Sequence, residues 1–190
     1  MKIKKSSFYL FFAIPAVVSL ACSIFVGGPA YPDQTVPVSP ADSQSLREQL
    51  EKALIAGAET GIVSLQLTES QLTAFIADRF ARQVNPPFTD PQILLRNGQM
   101  LMYGKIKRGW FTANVLITMN VGVDETTGQP KIEIASADFG PFPAPEGLNS
   151  AMTAIISEAF TGTLGPVAVG FRLEAISITD GLMTLTGRIK

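Results

Sequence analysis

The sequence predicts an α+β fold, with an N-terminal transmembrane helix followed by a curved antiparallel sheet that has helices packed on one face. Three observations carry this expectation. Three lysines within the first five residues precede an uncharged apolar run, Phe8 to Val26. Several later stretches alternate apolar and polar residues, the period of a strand with one covered and one wet face. Between them lie segments whose apolar residues recur at helical spacing.

The apolar run is about as long as a bilayer is thick, whereas a cleavable signal core is typically about 7–15 residues. Lys2, Lys4 and Lys5 ahead of it direct the N-terminus to the cytoplasm and the rest of the chain outside. A retained single-pass helix is the leading reading. Two alternatives stand beside it: Ser19-Leu20-Ala21-Cys22 reads as a degenerate lipidation motif ending at Cys22, and cleavage after Ala30 would release the domain. Residues 1–27 thus form an anchor or signal segment, 28–38 a proline-rich semi-rigid linker, and 39–190 an extracytoplasmic domain.

Ser39-Pro40-Ala41-Asp42 opens the first helix of that domain with a capping serine, a proline at its first position and an acid three residues after the cap. Leu46, Leu50, Leu54 and Ala58 make its apolar stripe, and Gly57 and Gly61 supply stop signals. Ile62 to Leu67 alternates as a strand, with Val63, Leu65 and Leu67 on one side. Thr68-Glu69-Ser70-Gln71 is a capping box opening a second helix whose stripe is Leu72, Phe75, Ile76 and Phe80.

Asn97-Gly98 lies between two alternating runs within Gln92 to Lys107 and predicts a tight hairpin. Its register puts Met100, Met102, Gly104 and Ile106 on one face and Gln99, Tyr103, Lys105 and Lys107 on the other. From Phe111 to Val123 every odd residue is apolar, the longest alternation in the chain. Lys131 to Ala137 is a further strand, Gly147 to Phe160 a third amphipathic helix, and Val167 to Ile178 another strand. A last hairpin turns at Asp180-Gly181, and a change of apolar parity between Leu173 and Ile176 predicts a bulge. Gly140 to Pro145 reads as a stiff polyproline-like connector carrying Phe142.

The last hairpin can be laid on the first. Asn97-Gly98 falls on Asp180-Gly181, Met100 on Met183, and Gly104-Lys105-Ile106-Lys107 on Gly187-Arg188-Ile189-Lys190. The preceding helices also correspond, with Leu72-Thr73-Ala74 on Met152-Thr153-Ala154. A duplicated strand–helix–hairpin unit, residues 62–123 and 131–190, accounts for both matches and implies one continuous antiparallel sheet under two helices.

Composition narrows the chemistry. The chain has no histidine, and Cys22 is its single cysteine, so Ser-His-Asp and Cys-His pairs are excluded and metal sites lose their commonest ligands. No catalytic residue, cofactor or metal ligand is expected, and the protein reads as non-enzymatic. Asp78 and Glu158, which correspond in the repeat, read as solvated helix positions. Apart from the N-terminal lysines the chain is net acidic, which argues against nucleic acid as a partner.

Methionines fall repeatedly on the apolar faces, and flexible thioethers suit an adaptable surface. Met100, Met102, Val115, Ile117, Met119, Met152 and Met183 are therefore candidates for lining an apolar-ligand site. Lys105, Lys107, Arg108, Arg188 and Lys190 gather at corresponding ends of the two hairpins and are candidates for contacting lipid headgroups. The function expected is a membrane-anchored module that binds a lipid or other apolar ligand. The alternative is a structural or assembly subunit that docks an envelope or membrane protein through the wet face of the sheet or through Phe142.

The order of these parts resembles the YpmS-like families of small membrane-anchored extracytoplasmic proteins. The anchor, Leu67-Thr68-Glu69-Ser70-Gln71-Leu72 opening a helix, Asn97-Gly98 with Gly104, and the connector from Gly140 to Pro145 carry the resemblance. It implies an envelope-facing domain.

Overall fold

The computed structural model describes residues 23–84, 86, 88–144, 146–147, 150, 152–154 and 171–189. Among these the chain is mostly sheet with a few helices. The elements run β1 (Ile24–Phe25), α1 (Pro40–Thr60), β2 (Ile62–Thr68), α2 (Glu69–Ala81), β3 (Thr89–Arg96), β4 (Gln99–Arg108), β5 (Phe111–Asp124), β6 (Gln129–Asp138), β7 (Phe171–Thr179) and β8 (Leu182–Ile189). Residues 152–154, within the third expected helix, are helical. No helix of the described residues is long and apolar enough to cross a membrane.

The local signals act as expected. Ser39 donates from its backbone N–H to Asp42 Oδ2 at 2.7 Å, and Gly61 ends α1 in the left-handed region at φ 75°. Thr68 and Gln71 close the reciprocal capping box of α2. Asn97 and Gly98 both take positive φ, as the tight turn requires. Burial alternates along β2 and β4 in the expected register, and the predicted bulge lies between Leu173 and Ala175.

Gly57 does not stop the helix. It lies inside α1, where a Cβ would stand 2.3 Å from Val63 Cγ2, so it is the point at which the helix closes on β2. Phe142 is half-buried against the core, and its N–H bonds back to Phe139 O at 3.2 Å, so this part of the connector is a turn and not an extended polyproline segment.

The single continuous sheet does not form. One sheet has the order β1-β5-β4-β3, with β6 also paired to β5, and is antiparallel except for β1. The other is the antiparallel set β2-β8-β7. The reason lies in which edges are free. β2 takes the edge of β8, while the outer edge of β3 is occupied by α2: Thr73 Oγ1 accepts from Ile93 N at 2.9 Å, and Glu69 Oε1 accepts from Leu95 N at 2.7 Å. The two sheets meet instead at their hairpin turns, where Gly181 N donates to Leu95 O and Asn97 N to Asp180 Oδ1.

A second correction concerns the N-terminal run. Its last residues, expected at the end of a spanning helix, are extended: β1 lies parallel to β5, with Ile24 opposite Phe111 and Phe25 opposite Thr112. β6 pairs with β5 only from Leu116 onward, which leaves the backbone of Phe111–Asn114 open on that edge. Ile24 to Gly27 satisfy it, and Asn114 N donates to Gly27 O at 3.0 Å. The earlier part of the run, Phe8 to Cys22, lies outside the described residues.

The expected linker is likewise docked. Asn114 Nδ2 donates to Pro29 O, Tyr31 packs edge-on against Tyr103, its hydroxyl donates to Asp90 O at 2.6 Å, and Val36 N donates to Gln92 Oε1. Residues 26–36 therefore strap the outer side of the sheet before α1 begins. Gly28 makes the crossing feasible, because at φ 112° it lies so close that a Cβ would stand 2.4 Å from Asn114 O. Asn114, on the face read as wet, is consequently buried.

Candidate functional site

Alternation on β4 and β5 turns Met100, Met102 and Met119 inward, and β8 turns Met183 toward them from the second sheet. Between these surfaces and the helices lies a cavity of about 140 Å³. The first sheet contributes Met100, Met102, Met119, Ile93 and Val121; the second contributes Leu65, Leu67, Ile176, Met183 and Leu185. Leu46 and Leu50 of α1, with Leu72, Phe75 and Ile76 of α2, close another side, and Met152 and Pro130 complete the wall. Every one of these side chains is apolar. Through these described side chains the site recognises a guest by shape and by removal of apolar surface from water.

Burial is graded around the wall. The methionines, Ile93, Leu65 and Leu67 are buried, whereas Leu72, Phe75, Val121, Pro130, Ile176 and Leu185 are half-buried. The second group forms a rim that reaches the surface. Close by, the buried Gln71 accepts from Thr68 N and donates to Ser45 Oγ at 3.0 Å, which ties α2 to α1 without placing a polar atom in the wall.

Five of the seven candidate lining residues meet here: Met100, Met102, Met119, Met152 and Met183. Val115 and Ile117 are fully buried farther along β5 and do not line the space. The walls from α1, α2 and β2 carried only the ordinary signal of core-facing stripes. Nothing in the sequence pairs β2 with β8, and that pairing brings Leu65 and Leu67 to the cavity.

The basic candidates separate. Lys107 and Arg108 are exposed where β4 turns into β5. Lys105 Nζ is 2.9 Å from Asp90 Oδ2 and 5.5 Å from the centre of the Tyr31 ring. Arg188 pairs with Glu174 and stands opposite Arg172, whose guanidinium reaches Glu125 O beyond the far end of β5. The two hairpin ends thus lie at opposite ends of β5 and form no single basic face. Lys190 and Cys22 lie outside the described residues, as does Glu158. Asp78 is exposed and paired with Arg82 one turn along α2.

Among the described residues no three acidic or cysteine side chains gather to hold a metal ion. No protein-family model matches the chain, and a search of curated proteins returns no relative.

Proposed function

We propose that this protein is a non-enzymatic binding module for a lipid or other apolar ligand, held at the outer face of the membrane by the segment before Ser23. The observation that carries the proposal is the apolar cavity with five methionines in its wall. Its volume is close to that of the roughly 150 Å³ apolar cavity that accepts benzene, and well below the roughly 300–1,000 Å³ of sites that enclose whole drug-sized ligands. The fitting guest is accordingly one end of a molecule, a ring or a short branched or acyl terminus, with the remainder crossing the half-buried rim. Thioether side chains adapt to such ends without a fixed shape.

The order of parts that resembles the YpmS-like families agrees with an envelope-facing role. The two hairpins that can be laid on each other share a buried methionine, Met100 and Met183, and their turns touch, whereas Thr73 is buried where Thr153 is exposed. With Ser23 to Val26 belonging to the domain, Phe8 to Cys22 is shorter than the roughly 20 residues of a spanning helix and matches a signal core. That length favours anchoring through Cys22 over a retained span. Cleavage after Ala30 would strip β1 from the sheet. Intact mass of the membrane-extracted protein separates the three: the unprocessed chain, a diacylated N-terminal Cys22, or a chain beginning at Tyr31.

The decisive test of the ligand reading is Met102→Trp in the full chain, followed by mass spectrometry of co-purifying lipid. Filling a real binding space should lower the lipid carried while holding or raising the melting temperature. If the wild-type protein carries no lipid and the variant loses about 1–3 kcal/mol through overpacking, the methionines are dry core and a docking subunit becomes the better account.

A further inference from the structure

Of the eight large apolar side chains exposed among the described residues, four gather at one end of the first sheet: Ile24, Phe25, Trp110 and Phe111, each 44 to 60% exposed. Ile24 N donates to Trp110 O at 2.7 Å, so β1 and the β4–β5 turn form one tip. Paired residues of a ladder share a face. Ile24, Phe111 and Arg108 stand in one row, and Phe25, Thr112 and Lys107 in the next, with Trp110 in the turn. Both faces of the tip therefore combine apolar and basic groups. No acidic residue occurs from Lys105 to Asn114 or from Ser23 to Pro32.

We propose that this tip is a membrane-docking wedge whose occupant is the headgroup and upper acyl layer of an anionic bilayer. Charge complementarity selects that occupant. Exposed lysine and arginine beside tryptophan and phenylalanine are the side chains that sit at a lipid–water boundary, the cations on phosphate and the rings just beneath. Position selects it again, because the chain enters the domain at Ser23, next to Ile24, and the proposed membrane attachment, whether the apolar run or a lipid on Cys22, comes immediately before it. A second copy of the protein would bring no acidic partner in its own tip. The wedge stands independently of whether the cavity takes a ligand.

Trp110 is the only tryptophan in the chain, so the fluorescence of full-length protein reports on the tip alone. In vesicles of mixed phosphatidylglycerol and phosphatidylcholine, its emission should shift to the blue, be quenched by lipid brominated in the upper acyl chain, and be shielded from acrylamide. Pure phosphatidylcholine should give clearly weaker quenching. Lys107→Glu with Arg108→Glu should erase the difference between the two lipid mixtures without changing the circular dichroism. If that variant does not fold, the contrast between the two mixtures on the wild-type chain still decides. Equal bromolipid quenching in both mixtures, or the same acrylamide access in anionic vesicles as in detergent, overturns the proposal. Shielding in detergent that grows with protein concentration overturns it too, and identifies a second copy as the occupant.

Discussion

Ile117 and Thr118 are neighbours in β5 with opposite surroundings. Ile117 is fully buried between Met102 and Ala137, whereas Thr118 is half-exposed on the other face. An aspartate at 117 would lose its hydration without gaining a partner, so Ile117→Asp should prevent folding while Thr118→Asp is tolerated. Equal melting temperatures for the two would contradict the register. At Gly57 two effects of opposite sign compete. Alanine would gain about 1 kcal/mol of helix propensity, but its Cβ would meet Val63 Cγ2 at 2.3 Å and Ile62 O at 3.3 Å. A β-branched side chain and a backbone carbonyl yield little, and overpacking costs about 1–3 kcal/mol, so Gly57→Ala should lower the melting temperature. Tyr31 gives the strap a dependence on pH. Burial first, and then the Asp90 charge, push its hydroxyl from 10.0 up to about 12. The unfolded chain then ionises before the folded one, so the stability from neutral Tyr31 is complete below pH 10 and lost as pH rises through 12. Tyr31→Phe should narrow its stability gap to wild type across that window, as read by melting between pH 9 and 12.

At the scale of elements, the edge of β3 shows how an exposed strand is kept from pairing with another chain. Its outward N–H groups at Ile93 and Leu95 are taken by Thr73 and Glu69, its Leu95 carbonyl by Gly181, and Arg96 adds an ion pair to Glu69. Thr73→Val keeps the shape but removes the acceptor, and should cost about 1–3 kcal/mol by orphaning the Ile93 N–H. A denaturation midpoint unchanged from wild type would mean that the edge finds water instead. What the sequence revealed at this scale was local. Capping boxes, the Asn97-Gly98 turn and the parity of β4 and β5 depend on residues a few positions apart, and the bulge at Leu173 announces itself as a parity change. The pairing of β2 with β8 and of β1 with β5 depends on edges about a hundred residues away, and no local pattern encodes it. Ile24 to Val26 were read as membrane-spanning because three apolar residues look alike in a bilayer and on a sheet edge. Phe111 keeps the inward parity, but the cover over β5 ends at Ala113, so it emerges 44% exposed.

At the scale of the whole molecule, both sheets and both long helices contribute to one core, in which Leu65, Leu67 and Met183 pack with Met100, Met102, Leu46 and Leu50. We therefore expect a single cooperative thermal transition, with calorimetric and van't Hoff enthalpies in agreement. Two resolved transitions would mean that the β2-β8-β7 sheet folds on its own. The cavity and the tip lie apart on this body: Met119 is eight residues along β5 from Phe111, roughly 27 Å at strand rise. The strap sets a second length. Folded onto the sheet, it keeps Ser23 at the rim of the domain, beside the start of β5. Peeled away, the 16 residues from Ile24 to Ser39 would extend by roughly 55 Å. The hydrogen bonds of Tyr31, Asn114 and Val36 therefore set how far Ser23 can stand from the start of α1.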